Sequence, residues 1–321
     1  MNSKRYVVVL SLLLGVFFPS FLFSVIQKCF PLENTEVTST QCSTNSSEAA
    51  LKISVLIDDE QVDEMEIDEY LIAVVLREMP ASFELEALKA QAVVSRTYAL
   101  RRLEGYSKHD NAAVCTDSAC CQGYIAPENY VANGGDEKMI DRVRNAVHAT
   151  SGQVLVFDGE LIDATYFSCS GGRTEDAQAV WGADVPYLQS IESPGEEKAD
   201  HYVDTVKFSV SDFLKMLELN DVGDKTVDIS DLTYTAGSGV DKLTINGKQM
   251  LGTKLRKILN LRSTMFSITV VGDTVTITTK GYGHRVGMSQ YGAEAMAVSG
   301  SNFQDILFHY YQGTQLVTYE D

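Results

Sequence analysis

Residues 66–102 read EIDEYLIAVVLREMPASFELEALKAQAVVSRTYALRR, and this stretch decides the fold. Apolar residues recur at helical spacing on both sides of its centre, which predicts two amphipathic helices joined by a short connector. Pro80 ends the first helix, because proline disfavours helical geometry at Met79 and has no N–H to donate. Ser82 is predicted to cap the second helix.

The carboxylate of Glu78 stands at the joint of these helices, between the apolar run 74–76 and Met79. Burial in such surroundings disfavours the charged form and raises the pKa of a carboxyl group. A general acid that works near neutral pH needs a raised pKa of this kind. The alternative is an exposed glutamate at a helix end, which composition alone favours.

The N-terminus has the pattern of a membrane anchor. Residues 1–5 contain Lys4 and Arg5, and residues 6–26 carry no charge and are rich in Val, Leu and Phe. About 20 apolar residues span a bilayer as a helix. The run is longer than the apolar core of a secretory signal and has no A-x-A-like site after it. We therefore predict a retained transmembrane anchor over a cleaved signal, with a cytoplasmic N-terminus and the rest of the chain outside.

Residues 27–49 are polar and lack periodicity, which predicts a flexible linker. Its Cys29 and Cys42 are lipid-modified, disulfide-bonded or free, and the sequence leaves these alternatives open. Residues 50–321 are globular in composition and form one large domain or two lobes. The net charge of −18, from 44 acidic and 26 basic residues, argues against nucleic acid, whose binding depends on Lys and Arg.

The coarse secondary structure mixes helices and antiparallel hairpins. Hairpins are predicted at 153–167, turning at Asp158-Gly159, and at 265–281, turning at Gly272-Asp273. A strand is predicted at 51–57, and helices are predicted at 139–149, 210–219 and 253–261. Because helices and hairpins do not alternate as β–α–β units, we predict the α+β class.

Two glycine-rich segments are candidates for ligand contact. In YFSCSGGRTED (166–176), adjacent glycines allow backbone N–H groups to approach a ligand, and a plain tight turn is the alternative. In GYGHRVGMSQYGAEAMA (281–297), a glycine-rich turn around His284 leads into a helix that begins near Ser289. Such a turn presents free N–H donors, which favours a surface-lining role, although an isolated histidine is more often structural.

His109, Cys115, Cys120 and Cys121 lie close together in the sequence. Zinc commonly takes four ligands of these types. The spacing is irregular, and adjacent cysteines are awkward as joint ligands. Three alternatives stay open. The first is a zinc site, in which Asp110 or Asp117 can replace one thiolate. The others are a disulfide between Cys115 and either Cys120 or Cys121, and free thiols.

Taken together, these segments of the chain closely resemble the SpoIID/LytB family. The resemblance covers nearly all of residues 50–321 and raises Glu78 and the Gly-Gly loop above their structural alternatives. The matching segments, in order, are YLIAVVLREMPASFELEALKAQAVVSRTYAL, YFSCSGGRTED, Trp181-Gly182, Tyr187-Leu188, GTKLRKILNLRSTMF and GYGHRVGMSQYGAEAMA.

The resemblance implies a lytic transglycosylase of peptidoglycan that acts during engulfment in sporulation. Such enzymes cut the bond between N-acetylmuramic acid and N-acetylglucosamine in strands without stem peptides, and leave 1,6-anhydro-muramic ends. It implies that Glu78 is the catalytic acid and that zinc is bound in some members near His109 to Cys121. It implies substrate contacts at Lys89, Arg96, Tyr166, Ser168, Ser170, Gly171, Gly172, His284, Ser289 and Gln290.

A single carboxylate suits this chemistry, because the sugar's own C6 hydroxyl is the nucleophile and no second carboxylate is needed to activate water. Glu78 serves first as acid and then as base. Lys89 and Arg96 are about two helical turns apart and share a face, which binds the lactyl carboxylate of muramic acid or orients Glu78. The alternative is an exposed basic stripe.

The chain departs from the family pattern at Phe167, where many members have His, and at Arg285, where many have Gly. These departures put the sugar contacts in question, but neither affects Glu78. By resemblance, the partners are a peptidoglycan amidase/endopeptidase and a membrane scaffold, in the mother-cell engulfing membrane. Two other readings are a non-catalytic, peptidoglycan-binding activator of an amidase and a metal-dependent hydrolase. The third cysteine and the lack of a neighbouring Glu base argue against the hydrolase and for a structural metal.

Overall fold

In the computed structural model, two helices meet at Glu78, as predicted: α1 spans Ile67–Glu78 and α2 spans Leu85–Arg101. Met79 has extended dihedral angles (φ −125°, ψ 138°), which ends α1 immediately before the proline.

The predicted cap of α2 at Ser82 is wrong, because the N-cap residue is Glu84. The connector first turns back on itself, with the N–H of Phe83 donating to the carbonyl of Pro80, so the helix begins later. The carboxylate of Glu294, in a distant helix, accepts the N–H of the N-cap residue Glu84 at 2.7 Å, the N–H that an N3 side chain would bind in a capping box.

The structure describes residues 51–58, 61–219 and 227–320. The predicted cytoplasmic tail (1–5), anchor (6–26) and linker (27–49) lie outside the described residues. Among the described residues, no helix has the length and hydropathy of a membrane span.

The remaining elements follow in chain order. The further helices are α3 (Pro127–Ala132), α4 (Glu137–Ala149), α5 (Ala177–Trp181), α6 (Val210–Met216), α7 (Gly252–Ile258), α8 (Gln290–Val298) and α9 (Phe303–Tyr310). The strands are β1 (Lys52–Ile57), β2 (Gln61–Glu66), β3 (Val114–Cys115), β4 (Gln153–Phe157), β5 (Glu160–Leu161), β6 (Tyr166–Phe167), β7 (Val203–Ser209), β8 (Ile229–Tyr234), β9 (Val240–Ile245), β10 (Lys248–Leu251), β11 (Phe266–Val271), β12 (Thr274–Lys280), β13 (Met288–Ser289) and β14 (Gln315–Thr318).

Residues 50–321 form one compact unit with two hydrophobic cores, which we call lobe 1 and lobe 2. Lobe 1 is built around α2, which packs against α1, α4, α8, α9 and β4. Helix α2 is buried on nearly all sides, and its many alanines let these neighbours approach closely. Lobe 2 contains α6 and α7 with the antiparallel sheets β11-β12-β7 and β10-β9-β8.

The α+β class is confirmed. The hairpin predicted at 265–281 is confirmed, and the hairpin predicted at 153–167 is confirmed only in its inner part. Strands β11 and β12 pair across the predicted Gly272-Asp273 turn. Strands β4 and β5 pair across Asp158 and Gly159, whose φ angles of 51° and 84° match the two positive values of a type I′ turn. The outer part of that hairpin is wrong, because β6 pairs in parallel with β13 instead.

A buried ion pair joins the two glycine-rich segments of lobe 1, and its hydrogen bonds reach lobe 2. Arg285 Nη1 lies 3.2 Å from Glu175 Oε1, and both side chains are fully buried. The guanidinium also donates to the carbonyls of Ser170, Arg173 and Gly237. Arg285 therefore lies inside the protein, and this departure from the family pattern places no cation at the surface.

Glu175 extends the same junction into lobe 2. Its Oε1 accepts the hydroxyl of Thr235 at 2.7 Å and the N–H of Gly239 at 3.0 Å, both in the loop between β8 and β9. The lobes are therefore held together by a charge pair that is fully removed from water.

Arg285→Met should lower the free energy of unfolding by about 3–5 kcal/mol, because it leaves the charge of Glu175 buried without its partner. Urea denaturation measures this change. The double variant Arg285→Met/Glu175→Gln should lose less stability than the single variant. Arg144→Gln, which breaks the exposed pair with Asp141, should cost at most about 1 kcal/mol. Equal losses in Arg285→Met and Arg144→Gln would contradict this account.

Candidate active site

Glu78 is the last residue of α1, and its carboxylate is partly buried where three chain segments meet. Its Oε1 accepts the backbone N–H of Gly123. Burial raises the pKa of Glu78, and hydrogen bonds from Gly123 and Tyr166 oppose that rise because they stabilise the ionised form. The net shift is upward, which is the direction that a general acid requires.

Gly123 is a site residue that the sequence analysis missed. A Cβ at this position would lie 2.8 Å from Arg77 Cγ and 2.9 Å from Glu78 Oε1, closer than real Cβ contacts. The absence of a side chain therefore lets the backbone approach the carboxylate. A lone glycine after a cysteine pair was the one available signal, and it is too weak to identify a contact across 45 residues.

Tyr166 lies beside Glu78, and its hydroxyl opposes the rise in the pKa of that carboxyl group. The hydroxyl accepts from Gln122 Nε2 at 3.2 Å and lies near the side chain of Ser95. Gln122 in turn accepts the hydroxyl of Tyr70 at 3.2 Å.

The hydrogen-bond network continues through α2 to the C-terminal part of the chain. Gln91 Nε2 donates to Ser95 Oγ at 3.0 Å, and Gln290 Nε2 donates to Gln91 Oε1 at 3.3 Å. Each donor in this series points towards Glu78, so the series favours the ionised carboxylate and holds the ring of Tyr166 in place. The structure thus connects the predicted residues Glu78, Tyr166 and Gln290.

The Gly-Gly loop binds a carboxylate of the protein itself. The N–H groups of Ser170 and Gly171 donate to Glu196 Oε2 at 2.7 and 2.9 Å, and the hydroxyl of Ser170 donates to the same atom at 2.8 Å. The N–H of Gly172 donates to Ser170 Oγ. These donors were predicted to face substrate, and the structure differs because Glu196 already occupies the loop.

His284 and Ser289 have partners within the glycine-rich segment. His284 Nδ1 accepts the N–H of Val286 at 3.1 Å, and the ring lies against Trp181 and Phe167. Burial lowers the pKa of His284 to about 4, so the ring is neutral near pH 7. Ser289 caps α8, as predicted for the start of that helix, but it is fully buried and cannot contact substrate without movement.

Ser168 and Lys89 lie outside the Glu78 network. Ser168 is partly buried, and its carbonyl accepts the N–H of Tyr291. Lys89 pairs with Glu86 at 2.7 Å and lies over the ring of Phe303.

Arg96 is a structural residue in this fold, contrary to the predicted substrate-facing stripe. It is 1% exposed, and its guanidinium donates to the carbonyls of Thr150 and Val147 at the C-terminal end of α4. It also pairs with Asp68 at 3.1 Å. A cation at a helix C-terminus is stabilising, which accounts for a buried arginine here. Because α2 is buried on nearly all sides, a shared basic face does not reach the surface.

The Cys/His cluster has the geometry of a tetrahedral metal site. The ligand atoms of His109, Cys115, Cys120 and Cys121 all lie within 4.8 Å of one another. His109 Nε2 is 3.7 and 3.5 Å from the sulfurs of Cys120 and Cys121, which are 4.0 Å apart. Zinc bonds of about 2.3 Å to sulfur and 2.0–2.1 Å to nitrogen place neighbouring ligand atoms about 3.6–3.8 Å apart. The four residues therefore fit zinc, and the described cysteines are free thiols.

Tyr166→Phe should raise the pKa of Glu78 above its wild-type value, because it removes one of the two donors to the ionised carboxylate. A ¹³C NMR titration of the Glu78 carboxyl carbon measures this pKa. Tyr70→Phe is the matched control, since Tyr70 donates to Gln122 and leaves both direct donors in place. An unchanged or lower pKa in Tyr166→Phe would show that this hydroxyl does not stabilise the carboxylate.

Comparison with known proteins places the chain in a family. The profile of the family described as stage II sporulation protein (SpoIID) matches residues 58–157, which contain α1, α2, Gly123 and the Cys/His cluster. The chain is 39% identical over 260 residues to stage II sporulation protein D of Bacillus amyloliquefaciens, covering 79% of this chain and 75% of that protein.

Two proteins of Bacillus subtilis (strain 168) are also similar. Stage II sporulation protein D is 38% identical over 263 residues, covering 80% of this chain and 76% of that protein. A protein named amidase enhancer is 30% identical over 302 residues, covering 78% of this chain and 40% of that protein. The extent and identity of these matches show that the chain belongs to the stage II sporulation protein D family.

Proposed function

We propose that this protein is a lytic transglycosylase of peptidoglycan. It cleaves the bond between N-acetylmuramic acid and N-acetylglucosamine in strands without stem peptides and leaves 1,6-anhydro-muramic ends. The observation that carries this proposal is the setting of Glu78, a partly buried carboxyl group with a raised pKa that accepts the N–H of Gly123 and lies beside the hydroxyl of Tyr166. Among the described residues, its hydrogen-bond network includes no second carboxylate.

The proposed transglycosylation needs a single carboxyl group, and Glu78 supplies it. Hydrolases of glycosidic bonds use a pair of carboxyl groups, one as acid and one as base or nucleophile. In the proposed reaction, protonated Glu78 gives its proton to the glycosidic oxygen as the bond from that oxygen to C1 breaks. The C6 hydroxyl oxygen bonds to C1, and Glu78 takes the hydroxyl proton, so the carboxyl group is regenerated and no water is consumed.

The donors around Glu78 support both halves of this cycle. Burial keeps a proton on the carboxyl group at a higher pH than in water, which the first step needs. Between the two proton transfers the group is an anion, and the N–H of Gly123 and the hydroxyl of Tyr166 stabilise it.

Membership of the family supports a role in sporulation, and we propose that the reaction takes place during engulfment. The predicted anchor at 6–26 would hold residues 50–321 outside the cytoplasm on the mother-cell engulfing membrane. The proposed partners are a peptidoglycan amidase/endopeptidase, which would supply stripped strands, and a membrane scaffold.

A non-catalytic role as activator of an amidase is the second candidate, and the similarity to a protein named amidase enhancer favours it. A protein that only binds glycan does not need a carboxyl group with a raised pKa, such as Glu78 beside Gly123 and Tyr166. The two functions differ in their products, because an activator increases release of stem peptides and forms no anhydro-muramic ends.

We also propose that His109, Cys115, Cys120 and Cys121 hold a structural zinc ion. Such an ion would crosslink the segment around His109 to Cys120 and Cys121, which directly precede Gln122 and Gly123. Three cysteines and one histidine would fill all four coordination positions of zinc. The ion would therefore supply folding stability and take no part in the chemistry.

Glu78→Gln should reduce the formation of anhydro-muramic ends from stripped glycan strands at least about 100-fold, because general acid–base catalysis contributes at least that factor. Mass spectrometry of products from the full-length protein in detergent measures this. The midpoint of thermal unfolding of Glu78→Gln should equal that of the wild-type protein. Glu69→Gln, at an exposed position on the same helix, should cleave normally. Near-wild-type cleavage by Glu78→Gln would exclude the proposed acid.

Cys120→Ser should lower the zinc content from about one ion per chain and lower the midpoint of thermal unfolding, because a structural site needs its full ligand set. Metal analysis by mass spectrometry and calorimetry measure these effects. The control Asp110→Asn changes an exposed neighbour of His109 and should leave both unchanged. Loss of zinc in Asp110→Asn but not in Cys120→Ser would show that the ligands are misassigned.

A further inference from the structure

An exposed aromatic and cationic surface lies beside the segment that carries Tyr166. We call it the Trp181 surface and define it by Trp181, Tyr282, His284, Arg256 and Arg262. Trp181, the single tryptophan of the chain, is 48% exposed, and Tyr282 is 39% exposed. Tyr106 and Tyr234 are at least as exposed, so what distinguishes Trp181 is its ring contact with His284, close to the segment that carries Tyr166.

The Trp181 surface is built on rigid elements. Trp181 ends α5, where Gly182 at φ 77° turns the chain away from it. The centroid of its ring lies 5.2 Å from that of His284, which in turn packs against Phe167, the residue after Tyr166. A path of contacting residues therefore connects Trp181 to the side chain that donates to Glu78.

The Trp181 surface contains two arginines in a chain whose net charge is −18, and one of them, Arg262, is paired with Asp204 at 3.4 Å. The guanidinium carbon of Arg262 lies 4.6 Å from the ring centroid of Tyr282. Arg256 lies beside the same segment, because its Nε donates to the carbonyl of Leu261 and the next carbonyl, that of Arg262, accepts the N–H of Gly283. Its charge also helps to lower the pKa of His284.

Arg256 is the informative residue of this surface. Its side chain is partly buried, and its Nε donates to the carbonyl of Leu261 at 3.2 Å. It forms no ion pair with any carboxylate in the described part of this acidic chain. Removing a cation from water without a counter-charge is unfavourable, so the guanidinium is prepared for an anion that the protein does not supply.

We infer that the Trp181 surface is a subsite for a muramic acid residue on the strand beyond the bond that is cut. The indole of Trp181 stacks on the apolar face of a sugar ring, and Arg256 pairs with the lactyl carboxylate. Arginine binds carboxylates through paired N–H donors, which gives orientation as well as affinity. This assignment rests on the proposed function for the identity of the polymer, although the residues are separate from the catalytic acid.

The test uses the full-length Glu78→Gln variant in detergent, which binds glycan without cutting it. Because the chain has one tryptophan, its fluorescence reports on Trp181 alone. Stripped glycan strands should change the emission in a saturable manner. N-acetylglucosamine oligomers, which have no lactyl carboxylate, should change it with weaker affinity.

Arg256→Gln, made in the Glu78→Gln background, should weaken the binding of stripped strands about 10-fold and leave the binding of N-acetylglucosamine oligomers unchanged. The factor corresponds to one charge-assisted hydrogen bond. Lys257→Gln is the matched control, because it removes the same charge from the neighbouring exposed position on α7. Trp181→Leu should reduce co-sedimentation with stripped cell walls.

The two proposals fail in different ways. The subsite is wrong if Arg256→Gln binds stripped strands with the same affinity as Lys257→Gln. It is also wrong if the tryptophan emission does not change while Glu78→Gln co-sediments with stripped walls. Those results leave the glycosidic reaction intact. If the wild-type protein forms no anhydro-muramic ends but the emission still responds to stripped strands, the transglycosylase is wrong and the subsite stands.

Discussion

The contact between the carboxylate of Glu78 and the backbone N–H of Gly123 is the constraint on which the site depends. It brings the end of α1 against the chain that follows the Cys/His cluster, and Tyr166 then adds a donor from β6. Each of these segments is held by a separate part of lobe 1. A small displacement of any of them would leave a buried carboxyl group without a donor, which is costly. The architecture of lobe 1 and the chemistry of Glu78 are therefore linked.

Carboxylates inside this acidic protein also hold its loops. Glu196 fills the Gly-Gly loop with three hydrogen bonds from Ser170 and Gly171, and Glu175 pairs with Arg285 where the lobes meet. Glycine-rich segments are suited to this task, because backbone N–H groups without neighbouring side chains can converge on one anion. The same property would make them anion sites for substrate in another context. Here the converging N–H groups of Ser170 and Gly171 already bind an internal anion.

Predictions from periodicity and turn chemistry were correct where the cause was local. The Asp158-Gly159 turn and the end of α1 before Pro80 follow from backbone preferences of a few residues. The outer arm of the first hairpin was wrong, because β6 finds its partner in β13, more than a hundred residues away. The cap at Ser82 was wrong for a similar reason, since Glu294 supplies the acceptor for α2.

The sequence by itself determined the two helices, their break and the presence of a carboxyl group at that break, because these features depend on neighbours along the chain. Tertiary structure alone decided what surrounds that carboxyl group. Gly123, Ser95 and Gln91 act through hydrogen bonds or close approaches that no sequence periodicity encodes. It also decided that Arg96 lies buried at the end of α4 instead of facing substrate, because the side of α2 that carries Arg96 packs against α4. Helical spacing predicts which residues share a face, but only packing determines whether that face meets solvent.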